Sequence, residues 1–231
     1  MIAEIIAIGS EVVSGKTMDS NSSYLAKKLT NMGINVYYHT SVDDSPERLK
    51  NVFEIALDRS DLVITCGGLG PTKDDMSKEV LAEVLKLDLE YDQDMLDNIK
   101  EKFRTINRPL TVNNNRQAMK LSGSIFLNNQ TGTAPGIYLE KDNKKVIMLP
   151  GPPRELKTMF ESEVIKLLKS DKFVLIESIN TIGLGESMTE TILLDMDLKR
   201  DNTDIATFAK EGMVEIRIVS QGYDSEAIKE E

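Results

Sequence analysis

One segment constrains this chain more than any other. Asp61-Leu62-Val63-Ile64-Thr65 runs into Cys66-Gly67-Gly68-Leu69-Gly70-Pro71-Thr72 and then meets Lys73-Asp74-Asp75. A short apolar run that can be buried on both faces is the mark of a strand inside a parallel sheet. The residues from Asp74 to Lys86 read as the helix that follows. This order puts a glycine-rich turn at the carboxyl end of a strand, where glycines allow left-handed backbone and a close approach to a ligand. The amides of Gly68 to Thr72 and the helix amino terminus could then face phosphate oxygens. At this level the two aspartates keep two readings, as helix caps or as metal- and proton-handling groups at the lip of the cradle.

What surrounds the segment is an ordinary globular composition. The chain has 231 residues, 40% hydrophobic and 29% charged, enough for one large or two small domains with a real core. A net charge of −10 and the lack of a basic run argue against nucleic acid as partner. No apolar run approaches a membrane span and Met1-Ile2-Ala3-Glu4 lacks a basic signal-peptide flank, so neither a membrane partner nor export is expected, and the cytoplasm is the default location. Cys66 is the only cysteine and reads as a packed small residue. His39 is the only histidine, which leaves carboxylates and backbone to do any chemistry. A bound metal should then be a hard cation with oxygen ligands.

Strand and helix alternate along the first part. Ile2 to Ile8 reads as a strand, Asp19 or Ser20 caps a helix carrying Leu25, Leu29 and Met32, Ile34 to Tyr38 is a second strand, and Ser45-Pro46 starts the next helix. Successive βα units with short connections predict an open parallel sheet covered on both sides, with its ligand crevice at the strand carboxyl ends. Helices are expected over Asp92 to Thr105 and Asn113 to Lys120, a strand over Ile125 to Leu127, and a hairpin of Gly136 to Glu140 with Lys145 to Leu149. The loop Pro150-Gly151-Pro152-Pro153 leads into a helix from Arg154 to Lys169. Past residue 170 the composition shifts to a small α+β module with strands at Phe173 to Thr181 and Met213 to Val219 and a helix ending at Leu194. Ala227 to Glu231 reads as the first residues of another helix, as a truncated end would.

Three further segments could reach the same crevice. Ser10 and Glu11 follow the first strand, Asp43 and Asp44 close the second, and Gly132, Thr133 and Gly136 lie in a loop preceded by Asn115-Arg116-Gln117. Each also has a plain reading as turn or cap chemistry. Arg116 is the best candidate for a phosphate clamp in an acidic chain, and Asp43 could face Asp75 across neighbouring strand ends.

Gly9-Ser10-Glu11 with Gly15 and Asp19-Ser20-Asn21, Gly67 to Asp75, Asn115-Arg116-Gln117-Ala118, Gly132 to Gly136 and Leu149 to Glu155 occur in an order that resembles the CinA family of competence-damage-inducible proteins. The resemblance spans essentially the whole chain. It implies a three-layer, mostly parallel molybdopterin-binding-like domain over residues 1–170 and a small KH-like α+β domain over 171–231. It further implies hydrolysis of ADP-ribose to AMP and ribose 5-phosphate, with a divalent metal (magnesium, manganese or cobalt) and potassium, in a protein that commonly forms homodimers. Asp75 and Asp43 match the family's acidic positions and become the expected metal and water-activating residues, and Asp74 is the carboxylate of the CinA branch. Gly67, Gly68, Gly70 and Thr72 would hold phosphate, with the Thr133 and Gly151 loops lining the rest. Ser77, Ser20 and Val12-Val13 depart conservatively from the family pattern. The amidase domain that follows in many full-length members has no counterpart in these residues, so no deamidase activity is expected of them. Two other readings stand beside the hydrolase: a molybdopterin-adenylylating transferase, against which Leu69 and Asp74 count, and a non-catalytic nucleotide-sensing module.

Overall fold

A computed structural model describes residues 1–168, 173–196, 202–223 and 226, and the chain divides into two compact units, Met1–Lys28 with Ile34–Leu168 and Leu29–Gly33 with Lys169–Glu231. The first holds β1 (Ile2–Ile8), α1 (Ser10–Val13), most of α2 (Ser20–Asn31), β2 (Asn35–Val42), α3 (Pro46–Arg59), β3 (Leu62–Cys66) and α4 (Ser77–Leu85). It continues through β4 (Leu89–Tyr91), α5 (Gln93–Thr105), a 3₁₀ helix (Val112–Ala118), β5 (Met119–Leu121), β6 (Ile125–Leu127), β7 (Gly136–Lys141) and β8 (Lys144–Leu149). It ends on α6 (Pro153–Met159), a π-helical turn (Phe160–Val164) and α7 (Ile165–Leu167). The main sheet has the order β2-β1-β3-β8-β7-β6, with β2, β1, β3 and β8 parallel, β7 antiparallel to β8 and β6 antiparallel to β7. A mostly parallel open sheet was the expectation, and it is what forms.

The reason lies in the strands' apolar content. Every residue of β3 is buried, as are Ala3 to Ile8 of β1, so both faces must be covered. Ile6, Phe53, Val63, Leu81 and Met148 meet in one core cluster. Glu4 is the polar exception in β1. Arg59 binds it through two nitrogens at 2.8 Å each, and Thr40 adds a bond of 2.7 Å. The β7–β8 hairpin closes on Asp142 and Asn143, both left-handed with φ of 50° and 60°, the two-residue turn that matches strand twist.

Several boundaries differ from the sequence-based expectation. β2 runs on to Val42, which puts the exposed His39 inside the strand and not at its end. α4 begins at Ser77, not Asp74, because the Asp75 carboxylate accepts from the Thr72 amide at 2.8 Å and hydroxyl at 2.6 Å and closes a turn ahead of the helix. Met76 occupies the cap position, so neither aspartate caps α4. The helix expected over Asn113 to Lys120 is a 3₁₀ helix, Val112–Ala118, capped reciprocally by Thr111 and Asn114 and running into β5. The elements α1, β4 and β5, of three or four residues each, are too short for periodicity to register.

The second unit is an antiparallel sheet in the order β10-β11-β9 with one described helix: β9 (Phe173–Ile182), α8 (Glu186–Asp195), β10 (Thr203–Lys210) and β11 (Met213–Gly222). β10 was not expected from its alanine- and threonine-rich sequence. The helix expected at Ala227 to Glu231 lies outside the described residues. Among the described residues no helix is long and apolar enough to cross a membrane.

Candidate functional site at the strand carboxyl ends

The parallel strands end together, and the segments that leave them line a cavity of about 360 Å³. Gly9 hydrogen-bonds the Val42 carbonyl and Gly67 the Leu149 carbonyl, which ties the exits of β1, β2, β3 and β8 to one another. Gly67 and Gly68 have φ of 107° and 69°, and a side chain at Gly68 would overlap the Ser77 hydroxyl. The turn is therefore built for glycine at both positions. Among the described residues the amides of Gly68, Leu69 and Gly70 bond to nothing in the protein. Thr72 differs, since its amide and hydroxyl are both taken by Asp75.

The cavity collects carboxylates. Glu11, Asp44, Asp75 and Glu155 line it, and among the described residues no lysine, arginine or histidine does. Asp44 accepts from the Ser10 amide at 2.9 Å and hydroxyl at 2.8 Å through Oδ2, and Asp75 likewise uses Oδ2. Each keeps an Oδ1 without a donor among the described residues. Glu155 receives Asn129 Nδ2 at 2.6 Å.

Of the residues singled out in the sequence, Glu11, Gly67, Gly68, Gly70, Asp75, Thr133 and Gly151 meet in this cavity, with Ser10 and Thr72 behind the carboxylates they bind. Asp43 does not join them. Arg48 holds it through two bonds of 2.7 and 2.5 Å, and that guanidinium keeps the Asp43 carboxyl below the usual range. Its neighbour Asp44 takes the position expected for it. Asp74 is exposed and does not line this cavity. Arg116, expected as a phosphate clamp, does not line the cavity: it binds the Thr72 carbonyl at 2.5 Å, the Asp75 carbonyl at 2.9 Å and Glu79 at 2.8 Å, bracing the turn. Gly136 is packed in β7 where a side chain would meet Met159, so it is structural. Gly132 faces a neighbouring cavity of about 590 Å³ that shares Thr133 with the first and is lined by Asn98, Lys102, Asn128 and Gln130 among others.

Sequence reasoning brought Asp44 to the crevice but gave the role to Asp43, and it missed Gln117, Glu155 and Lys78 as members or supports of the site. Lys78 is 3% exposed, burial pushes its ammonium down to about 8, and it donates to the Arg116 carbonyl. It lies within the span read as the helix after the turn, where nothing in the pattern announced a partner. Cys66 is fully buried and burial pushes its thiol up, which suits a packed residue.

The donor set fits a hard cation in a particular way. Among the described residues no group of three or more acidic, histidine or cysteine side chains stands close enough to hold an ion by itself. Two aspartates with one free oxygen each suit an ion of magnesium type, which keeps waters and takes further ligands from substrate phosphates.

An open, mostly parallel α/β sheet with a glycine-rich turn and carboxylates at its carboxyl edge defines the class, a ligand-binding fold of the doubly wound kind. Residues 4–170 match the family described as "Probable molybdopterin binding domain", and residues 177–231 match "Damage-inducible protein CinA KH domain". A CinA-like protein of Dictyoglomus thermophilum is 44% identical over 96% of this chain, and one of Dictyoglomus turgidum is 42% identical over 98%. A crystal structure of the protein CinA from Thermoplasma acidophilum covers 72% of this chain and 98% of its own, with 34% identity and a TM-score of 0.67. The chain belongs to the CinA family. It spans 54% and 56% of the two Dictyoglomus relatives' length.

Proposed function

We propose that the first unit hydrolyses the pyrophosphate bond of a nucleoside diphosphate sugar, most readily ADP-ribose, to AMP and ribose 5-phosphate in the presence of a divalent cation. The observation that carries the reading is the pairing, in one cavity, of three unbonded amides at Gly68, Leu69 and Gly70 with the free carboxylate oxygens of Asp44 and Asp75. Amides alone would suit any anion. Carboxylates beside them would repel it, since like charges roughly 5 Å apart cost about 3 kcal/mol at an effective dielectric of about 20. The combination favours an anion that arrives with a cation.

Asp44 and Asp75 are the residues to hold that cation, with magnesium, manganese or cobalt as candidates and potassium as a further ion. A bound divalent ion supplies charge neutralisation at the phosphates and lowers the pKa of a coordinated water. The amides of the turn orient the diphosphate and stabilise charge that develops on its oxygens. Glu11, whose carboxylate has no donor among the described residues, is the group to take the proton as water adds to phosphorus and the bridging P–O bond breaks. Asp43 and Asp74, expected from sequence to share this work, have no part in it.

Incubation with ADP-ribose and magnesium should release AMP and ribose 5-phosphate, exhaustive chelation should abolish the release, and added magnesium, manganese or cobalt should restore it. Full activity after chelation would remove the metal from the mechanism. Absence of AMP together with adenylylation of molybdopterin in the presence of ATP would replace the hydrolase by a transferase, and silence in both with binding intact would favour a nucleotide sensor.

A further inference from the structure

We propose that Gln117 reads the ligand directly, its side-chain amide donating a hydrogen bond to a phosphoryl oxygen held at the glycine-rich turn. The inference rests on the phosphate reading of the cavity for the identity of the anion, and on a chain of fixed orientations for the rest. The Thr111 amide donates to an Asn114 side-chain atom at 3.0 Å, and the Thr111 hydroxyl donates to the same atom at 2.9 Å. A backbone amide can only donate, so that atom is Oδ1 and Asn114 Nδ2 faces the other way. It meets Gln117 at 3.2 Å. An NH2 group again can only donate, so the Gln117 atom it meets is Oε1. Nε2 is left as the polar atom that Gln117 can offer to the cavity it lines.

The burial makes this orientation matter. Gln117 is 2% exposed and Asn114 5%, and among the described residues Gln117 Nε2 has no acceptor. Nε2 is nonetheless not one of the fully enclosed side-chain atoms left without a partner, so the free donor is open to the cavity that Gln117 lines and is available to a ligand there. The residue is also held in register with the turn. Its neighbour Arg116 grips the carbonyls of Thr72 and Asp75 and the carboxylate of Glu79, while Lys78 grips the Arg116 carbonyl. The 3₁₀ helix and the glycine-rich turn are thus fastened together, and Nε2 joins the amides of Gly68, Leu69 and Gly70 as a fourth neutral donor lining the cavity. A set of neutral donors in a cavity that also carries four carboxylates suits an oxygen-rich anion of the diphosphate type.

The test is a titration of the nitrogen-15-labelled full chain with inorganic pyrophosphate and magnesium, following the Gln117 side-chain amide beside the backbone amides of Gly68 and Gly70. Movement of all three supports the inference. Movement of the glycines with the Gln117 amide unchanged overturns it and leaves the phosphate reading of the turn standing. Movement of the Gln117 amide alone overturns it as well, because the phosphoryl oxygen would then not be held at the turn. No movement anywhere overturns both. Gln117→Met, which keeps the length and removes the donor without adding a charge, should weaken pyrophosphate binding at least 10-fold in a protein that remains folded by circular dichroism. Unchanged affinity in a folded Gln117→Met protein would also overturn the inference.

Discussion

Asp43 and Asp44 are adjacent, chemically identical and opposite in use. Arg48 stands on the first turn of α3, within reach of Asp43, and neutralises it in solvent. Asp44 instead turns over the end of β1, where it binds Ser10 and faces the cavity. The contrast predicts that Asp44→Asn and Asp75→Asn each lower AMP release from ADP-ribose by at least about 100-fold, the order expected when a preorganised charge contact is removed. Asp43→Asn should stay within a few-fold of the parent. Stability should separate from activity, because asparagine at 75 still offers Thr72 an acceptor oxygen. Urea unfolding of Asp75→Asn should therefore agree with the parent within about 1 kcal/mol. An Asp75→Asn protein that folds and hydrolyses at the parent rate would remove Asp75 from the chemistry.

At the scale of elements, α4 and the 3₁₀ helix act as one clamp on the glycine-rich turn. Lys78 is its buried bolt. Its ordinary value of 10.5 is pushed down to about 8, chiefly by desolvation, with Arg116 adding to the fall and Glu79 and Asp75 opposing it. The folded chain therefore releases this proton before the unfolded chain does. Between about pH 8 and 10.5 the unfolded state binds more protons, so the contribution of Lys78 to stability rises with pH in that window. The thermal midpoint of the parent minus that of Lys78→Met should grow as pH is raised from 7 to 10. A difference that stays flat would mean that the ammonium is not desolvated and that the clamp rests on Arg116 alone.

For the whole molecule, every residue lining the 360 Å³ cavity lies between Ile8 and Glu155, inside the first unit. The second unit is small, and a domain of about 60 residues buries too little surface to be strongly stable alone. A chain of residues 1–170 is expected to bind pyrophosphate with magnesium within about threefold of the full chain, while melting at a lower temperature. Calorimetric titration and circular dichroism measure the two quantities. Binding lost by a chain that remains folded would show that the second unit supplies part of the site.

The sequence by itself determined what depends on local pattern. Apolar runs at Ile2 to Ile8 and Leu62 to Cys66 can be buried on both faces only inside a parallel sheet, and glycines at 67 and 68 mark a backbone that other residues adopt at a cost. The crevice at the strand ends follows from that order of elements. Contacts between distant segments were decided by tertiary structure. No spacing rule says that Arg116 turns toward the carbonyls of Thr72 and Asp75 and leaves Gln117 at the cavity, because the direction of a side chain on a 3₁₀ turn depends on what it packs against. Likewise Asp75 reads as a cap until the Thr72 amide 2.8 Å away is seen to close a separate turn. Which of two neighbouring aspartates lines the cavity was settled by the reach of one arginine, a matter of three-dimensional distance that a sequence does not carry.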